Sequence, residues 1–222
     1  MKQASKTITV LPAATRNPER TQERILEAAF KEFAANGFAG ARVDKIARRA
    51  SINKRMLYHY FGDKKALFRE VLRRKIDQRQ PWWKATPDDP RESMPYWFEL
   101  ACQDINWIRL LEWEALQFGD SRLIDEERRA LASSQAVRRI LRRQAHGHLS
   151  TQLDPDCMLL AMIALTWFPH AFPQLTRLIA GTPVSDPRFI RKQKEFLRRL
   201  ANAFKPNTLD SKRVTTPING RS

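Results

Sequence analysis

The chain has 222 residues, 42% of them hydrophobic, which excludes disorder throughout and allows one large or two small domains with a sizeable core. Its formal net charge is +16, and the excess is uneven: residues 1–79 hold 19 Lys and Arg against 8 Asp and Glu, or +11, and the remainder 21 against 16, or +5, so a polyanionic partner is expected for the first third. Cys102 and Cys157 make neither a disulfide framework nor a zinc set, no stretch reaches the roughly 18 apolar residues of a membrane span, and no continuous apolar run follows the N-terminal lysines; a reduced, cytoplasmic setting without membrane contact is expected.

Residues 1–18 are polar and basic and read as a flexible arm. A helix is expected from Glu19, with Leu26, Ala29, Phe30 and Phe33 as its apolar stripe and Asn36-Gly37 as its stop. From Arg42 to Lys65 the text reads RVDKIARRA, SIN, KRMLYHYFGDKK. Val43, Ile46, Ala47 and Ala50 recur at three and four and share one helical face. Ser51 and Asn53 are turn and cap types, and Ile52 between them is expected to plug the core. A second short helix runs from Lys54 to Phe61, with Leu57 and Phe61 inward and Gly62 as its stop. Lys54 and Tyr58 lie on another face, flanked by Arg55 and His59. That is the layout of a helix-turn-helix at about residues 42–61, with a face of cations, donors and flat rings suited to phosphates and base edges.

Asp63 caps a fourth helix expected to reach about Gln78, with Ala66, Leu67, Val71 and Leu72 on its apolar side. Four prolines between Pro81 and Pro95 read as a loop or domain boundary, in which Trp82 and Trp83 should be partly packed. Helix returns from Tyr96 to Phe118 and, after an interruption at Gly119-Asp120, from Leu123 to His148. Asp154-Pro155 opens the next helix, which Pro169 and Pro173 should kink, and Asp186-Pro187 opens the last. Residues after Pro206 read as a disordered tail. The chain is therefore expected to be all-α.

The segment LYHYFGDKKALF, preceded by DKIARRASINKRM, resembles the DNA-binding domain of the TetR family of transcriptional regulators. The resemblance covers roughly residues 19–79 and rests on five features in register: the helix ending in FAANGFAG, the VDKIA helix, the short turn, the LYHYF helix, and Asp63-Lys64-Lys65 opening the next one. It implies a three-helix N-terminal reader joined to a helical effector-binding and dimerisation domain over residues 80–205, about nine helices in all. It supports Lys54, Tyr58, His59, Tyr60 and Lys64 as DNA contacts. Arg42, Asn53 and Arg55 are candidates from their chemistry: Arg42 for a phosphate, Asn53 as cap and contact, Arg55 for a guanine. Tyr60 could equally be half core. This chain has Ala41 where the family often has a hydroxyl residue, and Ser51 where the family favours Gly.

The resemblance also implies a homodimer on a palindromic operator, paired through the last two helices (about 155–178 and 187–204), and a small-molecule effector that releases the DNA. Repression is the commoner outcome in the family. Candidate pocket residues are Trp97, Cys102, Trp107, Trp113, Phe118, Met162, Trp167 and His170, although core or interface packing would leave the same pattern. An architectural DNA-binding protein without an effector is the alternative. Catalysis is not expected: His146-Gly147-His148 is a weak metal-like spacing, and no phosphate loop, nucleophile elbow or zinc pattern accompanies it. No metal or cofactor is expected.

Overall fold

The computed structural model describes residues 17–119 and 123–206; the N-terminal arm, residues 120–122 and the C-terminal tail lie outside them but for the arm's last two residues and Pro206. Among the described residues the chain is all-α, with ten helices and a closing 3-10 turn. In order they are α1 (Pro18–Gly40), α2 (Val43–Arg49), α3 (Lys54–Phe61), α4 (Lys64–Lys84), α5 (Pro90–Gln103), α6 (Ile105–Phe118), α7 (Glu126–Ala145), α8 (Pro155–Ala171), α9 (Pro173–Ala180) and α10 (Pro187–Leu200). The 3-10 turn is Ala201–Phe204.

Local chemistry explains most starts. Asn17 accepts the Arg20 N–H and Pro18 stands at the first helical position, so Pro18 belongs to α1 rather than to an arm. Asp89, Asp154 and Asp186 cap α5, α8 and α10 in the same way, each followed by a proline that lacks the N–H the first turn would leave unpaired. The expected break at 81–95 shrinks to residues 85–89. Pro81 sits in the last turn of α4, where solvent can reach the carbonyl that loses its donor, and Pro95 lies inside α5.

Proline at the end of α8 makes a sharp bend, with α8 and α9 at 90°. Pro169 cannot donate to the Leu165 carbonyl, and Gln193 Nε2 of α10 donates there instead, at 3.5 Å. Pro173 likewise leaves the Pro169 carbonyl free, and the Thr176 hydroxyl donates to it at 3.3 Å. No single helix among the described residues is long and apolar enough to cross a membrane.

One core cluster joins Ile25, Phe30 and Phe33 of α1, Ile46 of α2, Leu57 of α3 and Phe68 and Leu72 of α4 to Trp107 and Leu110 of α6. A second joins Met94 and Phe98 of α5 to Phe189 and Leu197 of α10, and a third lies between α7 and α8 around Ile140, Leu149 and Met158. The seam between the first cluster and α6 is close. Gly37, at φ +68°, interrupts the helical backbone of α1, and a Cβ there would stand 2.6 Å from the Trp113 ring.

Candidate nucleic-acid interface and helical cavity

Helices α2 and α3 are short, so packing rather than propensity holds them. Ile46 and Leu57 have no exposed surface and anchor both helices on α1 and α4. The turn between them is tight: the Ser51 N–H donates to the Arg48 carbonyl and the Ile52 N–H to the Ala47 carbonyl, each at 3.0 Å. Ser51 takes φ +54°, the left-handed region, while Ile52 packs against the core. Asn53 Oδ1 accepts the Met56 N–H at 2.7 Å, and Asp63 Oδ1 the Ala66 N–H at 2.6 Å, fixing the first turns of α3 and α4.

With Leu57 inward, Lys54, Arg55, Tyr58 and His59 are left exposed along α3, and Arg42 and Asn53 are exposed beside them. Tyr60 is half-buried, packed on the core and against the rings of His59 and Phe61. Lys64 is held differently from the rest. Its Nζ donates to the Ala39 carbonyl at 3.2 Å and lies 5.1 Å from the centre of the Phe38 ring, so the ammonium is positioned at the start of α4 before any ligand arrives. Partial burial lowers its pKa, and the nearby Glu32 carboxylate opposes that shift. Lys54 pairs with Asp44 of α2 at 3.1 Å, and that hydrogen bond raises its pKa. Lys45, Arg48 and Arg49 are exposed on α2 as well and widen the basic surface; the run of cations from Arg42 to Arg55 is the signal in the sequence that marks them.

The second concave feature is a cavity of about 1170 Å³ between the end of α4 and helices α5 to α8. Of the eight candidate pocket residues, Trp97, Trp107, Met162 and Trp167 line it. The other four lie elsewhere. Trp113 covers Gly37, and Phe118 packs on the first core with its ring 6.2 Å from that of Phe68. His170 is 5% exposed, stacked obliquely on Phe98 with its Nε2 3.5 Å from Cys102 Sγ. Burial lowers the His170 pKa to about 4 and raises that of Cys102 to about 11, so both stay uncharged near neutrality. At the cavity edge Arg79 is 4% exposed, bonded to Asp104 at 2.5 Å and held between the Trp82 and Trp107 rings.

Residues 25–71 match the family described as bacterial regulatory proteins, tetR family, and residues 96–201 the tetracyclin repressor-like C-terminal domain. The chain is 32% identical over 168 residues to the HTH-type transcriptional repressor SCO4008 of Streptomyces coelicolor, covering 76% of this chain and 88% of that protein. It belongs to the TetR family of transcriptional regulators. A second repressor, NicS of Pseudomonas putida, is 32% identical over 126 residues, 54% of this chain and 59% of that one. The crystal structure of the putative transcriptional regulator SCO4942 from Streptomyces coelicolor shares the fold, with a TM-score of 0.71 at 24% identity over 84% of this chain and 98% of that one.

This TetR-family regulator is thus a DNA-binding protein and not an enzyme. Its departures from the family pattern have visible consequences. Ala41 is buried, and Arg42 at the start of α2 makes no side-chain cap; its N–H donates instead to the buried Glu32 carboxylate of α1, at 3.3 Å. Ser51 occupies a left-handed position that glycine adopts without strain.

Proposed function

We propose that the regulator acts as a homodimeric repressor that binds a palindromic operator and is released by a small-molecule effector. The observation that carries the reading is the α3 surface: Leu57 is fully buried while Lys54, Arg55, Tyr58 and His59 face outward on one short helix. Such a helix fits the major groove, with Arg55 able to meet a guanine through two parallel bonds. Arg42, Asn53, Tyr58, His59 and Tyr60 supply phosphate or base-edge donors beside it, and Lys64 adds a positioned cation at a helix N-terminus. The domain over residues 19–79 reads DNA, and residues 80–205 carry dimerisation and effector binding.

A single reader spans few base pairs, and a two-fold pair doubles the contacts. The second copy has a surface to meet. Leu160 of α8 and Leu178 and Ile179 of α9 are 66%, 76% and 76% exposed, and Phe168 and Phe172 are exposed as well, apolar side chains that a lone chain leaves in water. The effector reading rests on the tryptophan-lined cavity. Because α4 runs from Lys64 to the cavity wall, a ligand that favours one position of α4 also favours one spacing of the two α3 helices.

Selection of binding sites from random duplex DNA tests this reading. Wild type should recover a palindrome, and Tyr58→Ala and Lys64→Ala should lose it while remaining folded. Salt-sensitive binding without sequence preference would sink the operator reading and bring forward an architectural role.

A further inference from the structure

The charge on the cavity wall is mostly positive: seven arginines and Lys84 line it against the carboxylates of Asp88 and Asp104, the second of which is paired with Arg79. Arg138, Arg139, Arg142 and Arg143 recur at three and four along α7, and all four line the cavity. Arg138, Arg139 and Arg142 make no ion pair among the described residues. Among the described residues Arg139 donates only to the Trp83 carbonyl, at 3.4 Å. Arg143 lies 3.9 Å from Asp89, but that carboxylate is already taken by Arg91, whose Nε and Nη2 donate to it at 2.9 and 2.5 Å. The Nε of Arg143 has no hydrogen-bond partner among the described residues, but it is wholly buried, so a ligand would meet the rest of the guanidinium. Half-buried guanidinium groups at Arg139 and Arg143, one turn apart and with Arg138 and Arg142 beside them, are an unfavourable arrangement of like charges that an anion would relieve.

Large apolar side chains from other helices share the lining: Trp97 and Leu100 of α5, Ile108 of α6 and Met162 and Trp167 of α8. Tryptophan faces also attract cations, and at Trp82 and Trp107 that use is already filled, since Arg79 lies against both rings and is neutralised by Asp104. A second cation entering would meet the α7 arginines as like charges.

We infer that the cavity takes an amphipathic anion, its carboxylate or phosphate held by Arg139 and Arg143 and its apolar body against the tryptophans of α5 and α8. This rests on the effector reading and adds the ligand's charge and the residues that read it. Arginine suits the task because its planar fork gives paired bonds to a carboxylate or a phosphate.

The test is calorimetric titration of the full chain with four probes on one ring system: 2-naphthoate, 2-naphthyl phosphate, 2-naphthamide and 2-naphthylmethylammonium. One or both anions should bind at least tenfold tighter than the amide, and the ammonium weakest; the better anion tells carboxylate from phosphate. Arg139→Met and Arg143→Met should each remove about tenfold of the anion's advantage and leave amide affinity within twofold. Arg109→Met, on the exposed side of α6 and outside the cavity lining, removes the same charge and should change nothing. Thermal melts and operator binding check that each variant is folded. Amide or ammonium binding as tightly as the anions would overturn the anion assignment while leaving the cavity a ligand site. An anion preference equally weakened by Arg109→Met would reduce it to general charge and overturn it as well. No binding by any probe at millimolar concentration would remove the effector reading and this inference together, with operator binding untouched.

Discussion

Two residues carry stability consequences of their own. Ser51 is held at φ +54° in the turn between α2 and α3, a conformation in which a Cβ is strained and glycine is not. Ser51→Gly should raise stability by about 1 kcal/mol, offset in part by the greater freedom of glycine in the unfolded chain, and a thermal melt reads it as a rise in Tm. His170 is the second. Its folded pKa of about 4 lies below the roughly 6.5 of an unfolded histidine, so between those values the unfolded chain binds a proton that the folded chain refuses. The stability it contributes is full above about pH 6.5 and falls as the pH drops through that window. The loss near pH 5 is about 2 kcal/mol relative to neutrality. Cys102, with a pKa near 11, stays protonated throughout and adds nothing to the slope. Urea melts from pH 7 to 4.5 should show His170→Gln with a shallower acid loss than wild type; parallel curves would contradict the assignment.

At the scale of elements, most of the architecture was legible because helix starts announce themselves chemically. Asp154-Pro155 and Asp186-Pro187 were readable as caps, and both open helices. The prolines at 81 and 95 misled for a physical reason: a proline costs a helix one hydrogen bond, and packing offsets that loss, with Trp83 against the first core at the end of α4 and Pro95 itself buried in α5. The helix-turn-helix could be read because its apolar spacing is short-range. The surroundings of Trp113, Phe118, Cys102 and His170 could not, because periodicity states that a residue faces inward without stating what it meets there. Whether a tryptophan borders a cavity or covers Gly37 depends on neighbours far away in the chain. The bend between α8 and α9 gives an element-scale prediction. Thr176 is 7% exposed, and its hydroxyl satisfies the carbonyl that Pro173 leaves free. Thr176→Val keeps the shape and removes the donor, so it should cost about 1–2 kcal/mol in a denaturant titration, while Thr182→Val, at a half-buried site beyond α9, should cost much less.

For the whole molecule, charge decides how binding responds to salt. Removing one phosphate-binding cation should flatten the dependence of log affinity on log salt by about 0.9, so Lys64→Ala should lower the slope by nearly 2 for a dimer that uses it twice. An unchanged slope would remove Lys64 from the phosphate-binding set. The close fit of Trp113 over Gly37 bears on a different property, cooperativity. Trp107 and Leu110 of α6 share a core with α1 to α4, so the DNA reader has no buried interior separate from that of the rest of the chain. Melting α6 would strip one wall from that interior. The slowest-exchanging amides of α1 and α6 should therefore open with the same free energy, in one global event. A molecule bound between α4 and α8 would then protect the reader's amides against exchange by the same amount as its own surroundings, whether or not it changes the spacing of the α3 helices.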